Sequence, residues 1–208
     1  MSSPRSLLLL SGGIDSTSLA YWRKPDYSLF IDYGQRAAVA ERRAATAVAN
    51  ELGVVFDSMQ INLAAAAGGL MAGGSVMEGA PSPEWWPFRN QLLISIAAAW
   101  ACRNTNVLED PGTVSIQLGI VRGDGERHVD GSARFVSAIS ALQELQEGRI
   151  SVEAPALDLS TEDLVKRSAI PDALLAWTHS CHVASFPCME CPGCFKRERV
   201  LHDLGRLQ

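Results

Sequence analysis

The sequence RSLLLLSGGIDS at residues 5–16 decides the fold of this chain. The apolar run at residues 7–10 predicts a buried strand, the glycine pair after it predicts a turn, and residues 14–23 predict a helix. Strand, turn and helix in this order form the opening unit of an α/β protein, in which helices cover a parallel sheet. The glycine pair therefore marks the point where the chain leaves the first strand.

Strands and helices alternate along the rest of the chain. Further buried strands are predicted at residues 27–32, 54–59 and 114–118. Helices are predicted at residues 37–52, 90–103 and 132–146, and Asn90 is expected to cap the second of them. Ser160 and Asp163 have the spacing of a capping box, which predicts a short helix. This alternation predicts an α/β fold with a doubly wound parallel sheet.

The composition is that of an ordinary globular domain. The chain has 208 residues, of which 47% are hydrophobic and 20% charged, so it can bury a core without disulfides. Its formal net charge of -5 is opposite to the basic excess of proteins that bind a nucleic-acid backbone. The longest apolar stretch, residues 92–102, is shorter than the roughly 18 to 20 residues of a membrane span. With no secretory pattern in residues 1–10, we expect a cytoplasmic protein that binds small molecules.

Residues 62–87 interrupt the alternation of strands and helices. Glycines and prolines recur throughout this stretch, which is longer than an ordinary connection. Segments of this length are commonly lids or ligand-binding loops, and we expect one or the other here. Trp85 and Trp86 at its end could stack on a bound base or pack the segment onto the core.

The segment from Ser11 to Ser16 has the properties of a phosphate-binding loop. Gly12 and Gly13 let the backbone approach an anion closely and adopt conformations that a Cβ disfavours. The free N–H groups and the dipole at the start of the following helix attract negative charge. The motif is neither a Walker A loop, because no Gly-Lys-Ser/Thr follows, nor a GxGxxG dinucleotide loop. We therefore predict a phosphate site of a different kind.

Four of the five cysteines lie close together near the C-terminus, at Cys181, Cys188, Cys191 and Cys194. Two overlapping CxxC steps and one upstream cysteine supply the four thiolates of a tetrahedral Zn²⁺ site. An iron–sulfur cluster is the alternative, although the lack of a further cysteine downstream favours zinc. We expect a structural zinc that ties the last helix to the body of the protein. Cys102, on an apolar helix, is expected to be packed in the core.

The hexapeptide at residues 11–16 resembles the SGGxDS signature of the N-type ATP pyrophosphatases, which have an adenine nucleotide alpha hydrolase-like fold. In that group the loop holds the β,γ-pyrophosphate of ATP while a carbonyl or carboxylate oxygen attacks the α-phosphorus and forms an adenylate. The resemblance implies that Asp15 helps to place Mg²⁺. It assigns ATP binding to the loop and the strand end before it, namely Leu9, Leu10, Ser11, Gly12, Gly13, Ile14, Asp15 and Ser16.

Two further motifs lie where a nucleotide could reach them. The motif DYGQR at residues 32–36 follows the second predicted strand, at the sheet edge where α/β proteins bind ligands. The motif PFRN at residues 87–90 enters a helix from the long segment, so that Arg89 could reach the polyphosphate. With the phosphate loop and the motif WTHSC at residues 177–181, they resemble the QueC family of queuosine biosynthesis over nearly the whole chain. The resemblance adds to the ATP site Tyr33, Gly34, Gln35, Arg36, Arg89 and Asn90, and it assigns catalysis to Asp15, Ser16 and Arg89.

The resemblance implies an ATP-dependent ligase that turns 7-carboxy-7-deazaguanine into its nitrile with ammonia. The carboxylate is first adenylated, and reaction with ammonia gives an amide. The amide oxygen is then adenylated in turn and eliminated. The implied cofactors are ATP, Mg²⁺ and Zn²⁺, and a homodimer is expected. Residues 1–176 would form the ATP-binding α/β domain, and residues 177–208 the zinc-binding segment with a last helix packed on it.

Asp124, Asp130 and Phe135 match residues of the family's substrate segment. A carboxylate could read a guanine edge, because it accepts hydrogen bonds from both N1–H and the exocyclic amine. Two solvated carboxylates in a glycine-rich loop are an equally good interpretation.

The sequence departs from the family pattern at positions that we assign to the substrate side. These departures are Val121 for an asparagine, Gly131 and Ser132 for a Cys-Arg pair, and Thr161 for a lysine. One alternative is therefore a QueC-like ligase of antiphage defence that transfers an activated deazaguanine to another acceptor, such as a protein. A sulfurtransferase acting on tRNA and a non-catalytic nucleotide-binding adapter are the other two. ATP turnover would separate the enzymes from the adapter.

Overall fold

The computed structural model describes residues 4–206 and contains a five-stranded, entirely parallel sheet in the order β3-β2-β1-β4-β5. The strands are β1 (Arg5–Leu9), β2 (Tyr27–Asp32), β3 (Val55–Gln60), β4 (Val114–Gln117) and β5 (Ser151–Glu153). Starting from β1, the chain builds the sheet first in one direction and then in the other. A crevice therefore opens beyond the carboxyl ends of β1 and β4, which is where doubly wound proteins bind ligands.

Helices connect the strands and cover the sheet. They are α1 (Ile14–Arg23), α2 (Ala38–Leu52), α3 (Gly69–Ala72), α4 (Arg89–Asn104), α5 (Asp124–Arg127), α6 (Ala133–Glu144), α7 (Thr161–Ser168), α8 (Asp172–Trp177) and α9 (Pro192–Asp203). Single 3₁₀ turns are present at Ala64–Ala66 and Val129–Gly131. Among residues 4–206, no helix combines the length and the apolar character that a membrane span requires.

Successive side chains of β1 point to opposite faces of the sheet, and each face has its own hydrophobic cluster. Leu7 lies on one face, in a cluster with Ile94 of α4 and Ile139 of α6. Leu8 points to the other face, in a cluster with Leu19 of α1 and further side chains of α2, α7, α8 and α9. Complete burial of such a side chain stabilises a fold by about 1.5 to 3 kcal/mol. Helices on both faces explain why the strand has no polar side, and they confirm the predicted doubly wound α/β fold.

The helix predicted at residues 90–103 begins one residue earlier than expected. Phe88 occupies its N-cap position, and Arg89 is the first helical residue. The capping role predicted for Asn90 is therefore wrong, because this residue already lies in the first turn. Its amide instead donates a hydrogen bond of 3.1 Å to the main-chain oxygen of Asp130. By contrast, the capping box of Ser160 and Asp163 at the start of α7 is confirmed.

The segment at residues 62–87 is folded against the body of the protein. Trp86 is buried, and its ring meets that of Tyr33 edge to face, with 4.9 Å between the ring centroids. Of the two roles considered for this tryptophan, packing is the one that the structure shows. The segment also brings Met71 and Glu84 to the crevice at the end of the sheet.

The C-terminal segment is attached to the phosphate loop and to the core. The backbone N–H of His179 donates a hydrogen bond of 2.9 Å to the oxygen of Gly12. Val200 and Leu201 of α9 are buried in the cluster that contains Leu8. The division at residue 176 stays a prediction, and residues 1–3 and 207–208 of the two predicted units lie outside the described chain.

Candidate active site and metal centre

A cavity of about 390 Å³ lies beyond the carboxyl ends of β1 and β4. Its walls come from parts of the chain that are distant in sequence: the phosphate loop, β2 with the motif after it, the segment at residues 62–87 with the start of α4, the turns after β4, and the cysteine segment. Twelve of the residues predicted to bind ATP or substrate line it, namely Leu9, Leu10, Ser11, Gly13, Ile14, Asp15, Ser16, Tyr33, Gln35, Arg89, Asn90 and Asp124. The crevice of the sheet thus assembles most of the predicted site.

The phosphate loop is held in shape by its own hydroxyl groups. The Oγ atoms of Ser11 and Ser16 are 3.0 Å apart, and the N–H of Gly13 donates to Ser11 Oγ at 3.3 Å. Gly12 has a φ of 77°, and a Cβ there would lie 2.7 Å from the main-chain oxygen of Glu41. Only glycine fits this position, which lets the loop pack on α2 while its other side faces the cavity. The first N–H groups of α1 have no partners within the helix and are free to donate to an anion that binds there.

Asp15, in the first turn of α1, is the centre of a charged group in the cavity. Its Oδ1 accepts a hydrogen bond of 2.7 Å from Thr161, and its Oδ2 lies 2.9 Å from the ammonium of Lys196. The same ammonium is 3.6 Å from Asp124. Burial raises the pKa of Asp15, and Lys196 and Thr161 oppose that rise. Burial alone would lower the pKa of Lys196, but the two carboxylates raise it, so the ammonium stays charged.

Neither neighbour of Asp15 is among the residues that the sequence assigns to the ATP site. Thr161, which the family resemblance places on the substrate side, contacts the phosphate loop through Asp15. Lys196 was missed altogether. The available signal was its position on the last predicted helix, two residues after Cys194. A metal at the cysteines would fix this position close to whatever surface the segment packs on.

A second wall of the cavity comes from the motif after β2. The side chain of Gln35 accepts a hydrogen bond from the N–H of Tyr33 at 2.9 Å and donates one to Glu41 at 2.8 Å. Arg89 lies beside them, with one guanidinium nitrogen 3.1 Å from the sulfur of Met71. Burial alone would lower the pKa of Arg89, but Tyr33, Asp130 and Glu41 raise it. A charged guanidinium thus faces the cavity, as a polyphosphate site requires.

Glu84 is a buried carboxylate in the wall formed by the segment at residues 62–87. Its Oε1 accepts a hydrogen bond of 2.7 Å from Nε of Arg127 and lies 3.6 Å from Nε2 of His128. Burial alone would raise the pKa of Glu84, but hydrogen bonds from the main chain and Arg127 lower it, so the carboxylate is ionised. All three side chains line the cavity. No local sequence pattern marks Glu84, since its partners are more than 40 residues away.

Five residues assigned to ligand binding do not line the cavity: Gly12, Gly34, Arg36, Asp130 and Phe135. Gly12 supports the loop from behind. Arg36 is exposed, and Phe135 packs against the core under the sheet. Asp130 contributes its main-chain oxygen to Asn90. The direct contacts predicted for these five residues stay predictions, and the described structure places all five outside the cavity lining.

The four clustered cysteines meet at one point, with their sulfur atoms all within 4.8 Å of one another. The Sγ atoms of Cys188 and Cys194 are 3.9 Å apart. A tetrahedral ion with Zn–S bonds of 2.3 Å requires sulfurs about 3.8 Å apart, so the set fits a single ion. An iron–sulfur cluster divides the four thiolates among two or four irons, so that thiolates on different irons lie further apart. Main-chain N–H groups, first that of Glu190, lower the pKa of Cys188 to about 7, which favours the thiolate that a metal binds.

Comparison with known proteins covers both the cavity and the cysteine cluster. Residues 5–205 match the family model described as queuosine biosynthesis protein QueC. The chain belongs to this family. It is similar to the 7-cyano-7-deazaguanine synthase of Methanopyrus kandleri, with 28% identity over 96% of this chain and 95% of the relative. The 7-cyano-7-deazaguanine synthase of Laribacter hongkongensis is 29% identical over 96% of this chain and 91% of the relative. That of Methylococcus capsulatus is 29% identical over 96% of this chain and 95% of the relative.

Within the QueC fold, the departures at residues 131 and 132 have a structural explanation. Asp124 accepts a hydrogen bond of 3.0 Å from the N–H of Val121, which closes the turn before α5. Gly131 is buried against this turn, and a Cβ there would lie 2.9 Å from the carbonyl carbon of Asp124. Ser132 caps α6 with its hydroxyl. A larger pair at these two positions would require the turn to open.

Glu41 is expected to make stability depend on pH. Burial raises its pKa from 4.5 to about 7, while the hydrogen bond from Gln35 opposes the rise. The folded protein then binds this proton more tightly than the unfolded chain. The stabilising contribution of Glu41 is therefore complete below pH 4.5 and is lost as the pH rises through 7. Glu41→Gln, which mimics the protonated group, is expected to remove about 1 to 2 kcal/mol of the decline in unfolding free energy between pH 5 and pH 8.

Urea unfolding at several pH values between 5 and 8 measures this effect. Glu51→Gln, at an exposed position of the same helix, is the matched control and should leave the pH dependence unchanged. If the unfolding free energy falls equally with pH in the wild type and in Glu41→Gln, Glu41 titrates in its ordinary range.

Proposed function

We propose that this QueC family member is an ATP-dependent ligase that converts 7-carboxy-7-deazaguanine, with ammonia, into 7-cyano-7-deazaguanine. The observation that carries the proposal is the group formed by Asp15, Lys196 and Arg89 around one cavity at the phosphate loop. Two cations and a carboxylate beside a helix N-terminus suit a nucleotide polyphosphate and its metal ion. The similarity to 7-cyano-7-deazaguanine synthases supports the choice of substrate.

The phosphate loop and α1 would bind the β,γ-pyrophosphate of ATP. The amides at the start of α1 and the hydroxyls of Ser11 and Ser16 would donate to phosphate oxygens. Asp15 and Asp124 are the carboxylates that would hold Mg²⁺, which neutralises charge on the phosphates when it is bound. Lys196 lies between these carboxylates. Its ammonium would stabilise the negative charge that develops on the departing pyrophosphate.

The chemistry requires positioning more than a nucleophilic side chain. The substrate carboxylate attacks the α-phosphorus of ATP, and the bond to pyrophosphate breaks. Ammonia then attacks the acyl carbon, AMP leaves, and the amide is formed. The amide oxygen attacks a second ATP in the same way, and loss of AMP with the nitrogen-bound protons gives the nitrile. A cavity that aligns the two reactants and stabilises the developing charge meets these requirements.

The cysteine cluster is proposed to hold a structural zinc ion. Cys191 and Cys194 flank the start of α9, and Lys196 follows half a turn later. A metal bound by the four thiolates would fix the start of this helix, and with it the ammonium beside Asp15. The metal centre would thereby support the ATP site without taking part in the chemistry.

The direct test is pyrophosphate release from Mg-ATP by zinc-replete protein, with 7-carboxy-7-deazaguanine and ammonia present or omitted. Products are followed by mass spectrometry. We expect release that depends on the carboxylate, and nitrile together with AMP when ammonia is supplied. ATP turnover without any effect of the carboxylate would exclude this substrate, and no turnover at all would favour the adapter.

A second candidate is a QueC-like ligase that transfers the activated deazaguanine to another acceptor, as in the antiphage systems considered above. Two departures favour it: Gly131 lines the cavity, and Thr161 contacts Asp15, which lines it as well. AMP formation that stops at the adenylate or the amide, with no nitrile, would support this candidate. The alternative of a sulfurtransferase acting on tRNA would instead require that the protein binds tRNA.

A further inference from the structure

One end of the cavity carries a polar group that ATP chemistry does not use. Glu84, Arg127, His128 and His182 line the cavity together and come from three separate parts of the chain. Glu84 is only 5% exposed, and its salt bridge to Arg127 is short, at 2.6 Å from Nη2. Burying an ionised carboxylate is costly unless all of its hydrogen-bonding capacity is used.

The hydrogen-bonding capacity of this group is only partly used within residues 4–206. Nε of Arg127 donates a hydrogen bond to Oε1 of Glu84, and Nη2 of Arg127 forms its salt bridge with the same oxygen. The other oxygen, Oε2, is buried without a partner, and so is Nδ1 of His128 and of His182. An unpaired buried acceptor on an ionised side chain is strongly unfavourable, and it points to a ligand that donates a hydrogen bond to it.

The other carboxylates of the cavity are already engaged. Asp124 accepts from the N–H of Val121 through one oxygen and faces Lys196 with the other. Asp15 is bound by Thr161 and Lys196. Asp130, the second residue considered for reading a guanine edge, does not line the cavity. Glu41, which also lines the cavity, accepts a hydrogen bond from Gln35. Of these carboxylates, Glu84 is the one with a buried oxygen that has no partner in the described structure.

We infer that Glu84 recognises the base of the substrate: its Oε2 accepts a hydrogen bond from the exocyclic amino group of a 2-amino-4-oxo pyrrolopyrimidine. Arg127 stabilises the charge of Glu84 through Oε1, and it lines the same cavity. This assignment rests on the proposed function and specifies which part of the substrate lies at this end of the cavity. The carboxylate of the substrate would then face the phosphate loop.

A purely structural role for the Glu84 pair predicts different behaviour. A salt bridge that only anchors the segment at residues 62–87 would affect stability and the affinity for all ligands alike. Recognition of an amino group affects only ligands that carry one. The ratio of two affinities measured on the same protein separates the two roles, and it is insensitive to partial unfolding of a variant.

The experiment measures binding of 7-carboxy-7-deazaguanine and of its analogue without the 2-amino group by calorimetry, with Mg²⁺ and a non-hydrolysable ATP analogue present. The wild type is expected to prefer the amino compound by about 10- to 100-fold, as for a hydrogen bond to a charged group. In Glu84→Gln the amide oxygen stays with Arg127, so the amide nitrogen faces the ligand's donor. The preference should fall below about threefold. Glu78→Gln, at an exposed position of the same segment, should keep it.

Equal affinities of the wild type for the two compounds would overturn the inference, as would a full preference in Glu84→Gln. AMP formation is assayed in parallel with several carboxylates. Binding of neither compound, with AMP formed from another carboxylate, would overturn the role of Glu84 and leave the ligase function standing. Binding of neither compound and no AMP would overturn both.

Discussion

Asp15→Asn is expected to lower kcat/KM for Mg-ATP by roughly 10²- to 10³-fold and to leave the fold intact. The amide keeps an oxygen for the hydroxyl of Thr161, which donates to Asp15 at 2.7 Å. It removes the charge that faces Lys196 at 2.9 Å and that would bind the metal ion of the nucleotide. Initial rates of pyrophosphate release, measured against both Mg-ATP and free Mg²⁺, would show the loss and a weaker dependence on Mg²⁺.

Asp203→Asn is the matched control for this experiment. Asp203 is an exposed carboxylate at the end of α9, and its side chain contacts His202 within its own helix. Its replacement should change kcat/KM by less than about twofold, since surface substitutions of this kind have small effects. Melting temperatures of both variants within a few degrees of the wild type would exclude unfolding. A rate for Asp15→Asn close to that of the wild type would remove this residue from catalysis.

The local features of the fold could be predicted because each depends on a few neighbouring residues. The strand at residues 27–32 and the helix at residues 14–23 are found with the predicted bounds. β5 was missed because Ser151–Glu153 is too short to show a periodic pattern, and it is a strand only through its pairing with β4. The cap predicted at Asn90 was wrong because the N-cap of α4 lies two residues earlier, at Phe88, which has a left-handed conformation.

The site likewise combines a motif of neighbouring residues with contacts between residues that are distant in sequence. The phosphate loop is contiguous in sequence, so its motif predicts its shape and its position after β1. Lys196 and Glu84 reach the cavity only when the chain folds, since Lys196 is separated from Asp15 by 181 residues. No local pattern marks such partners. They meet in the cavity because the sheet order brings the ends of β1 and β4 together under the cysteine segment.

Removal of the metal from the cysteine cluster is expected to abolish ATP turnover and to lower the melting temperature by about 10 °C. Without the ion, the thiols no longer fix the first turn of α9. Cys191 also accepts hydrogen bonds from the N–H groups of His182 and Cys194, and these contacts shape the segment that leads into the cavity. Loss of the first turn would withdraw Lys196 from Asp15. Treatment with a chelator and then with Zn²⁺, followed by melting and turnover, measures the effect and its reversal.

Two cysteine variants separate loss of the metal from loss of any thiol. Cys191→Ser removes a buried member of the cluster and should reproduce the effect of the chelator. Cys102→Ser changes a half-buried thiol on α4, outside the cluster, and should retain one metal ion per chain and full turnover. Elemental analysis that finds zinc without iron would identify a single-ion centre. Full turnover by Cys191→Ser without bound metal would show that packing alone positions Lys196, because α9 would then hold its place through Val200 and Leu201.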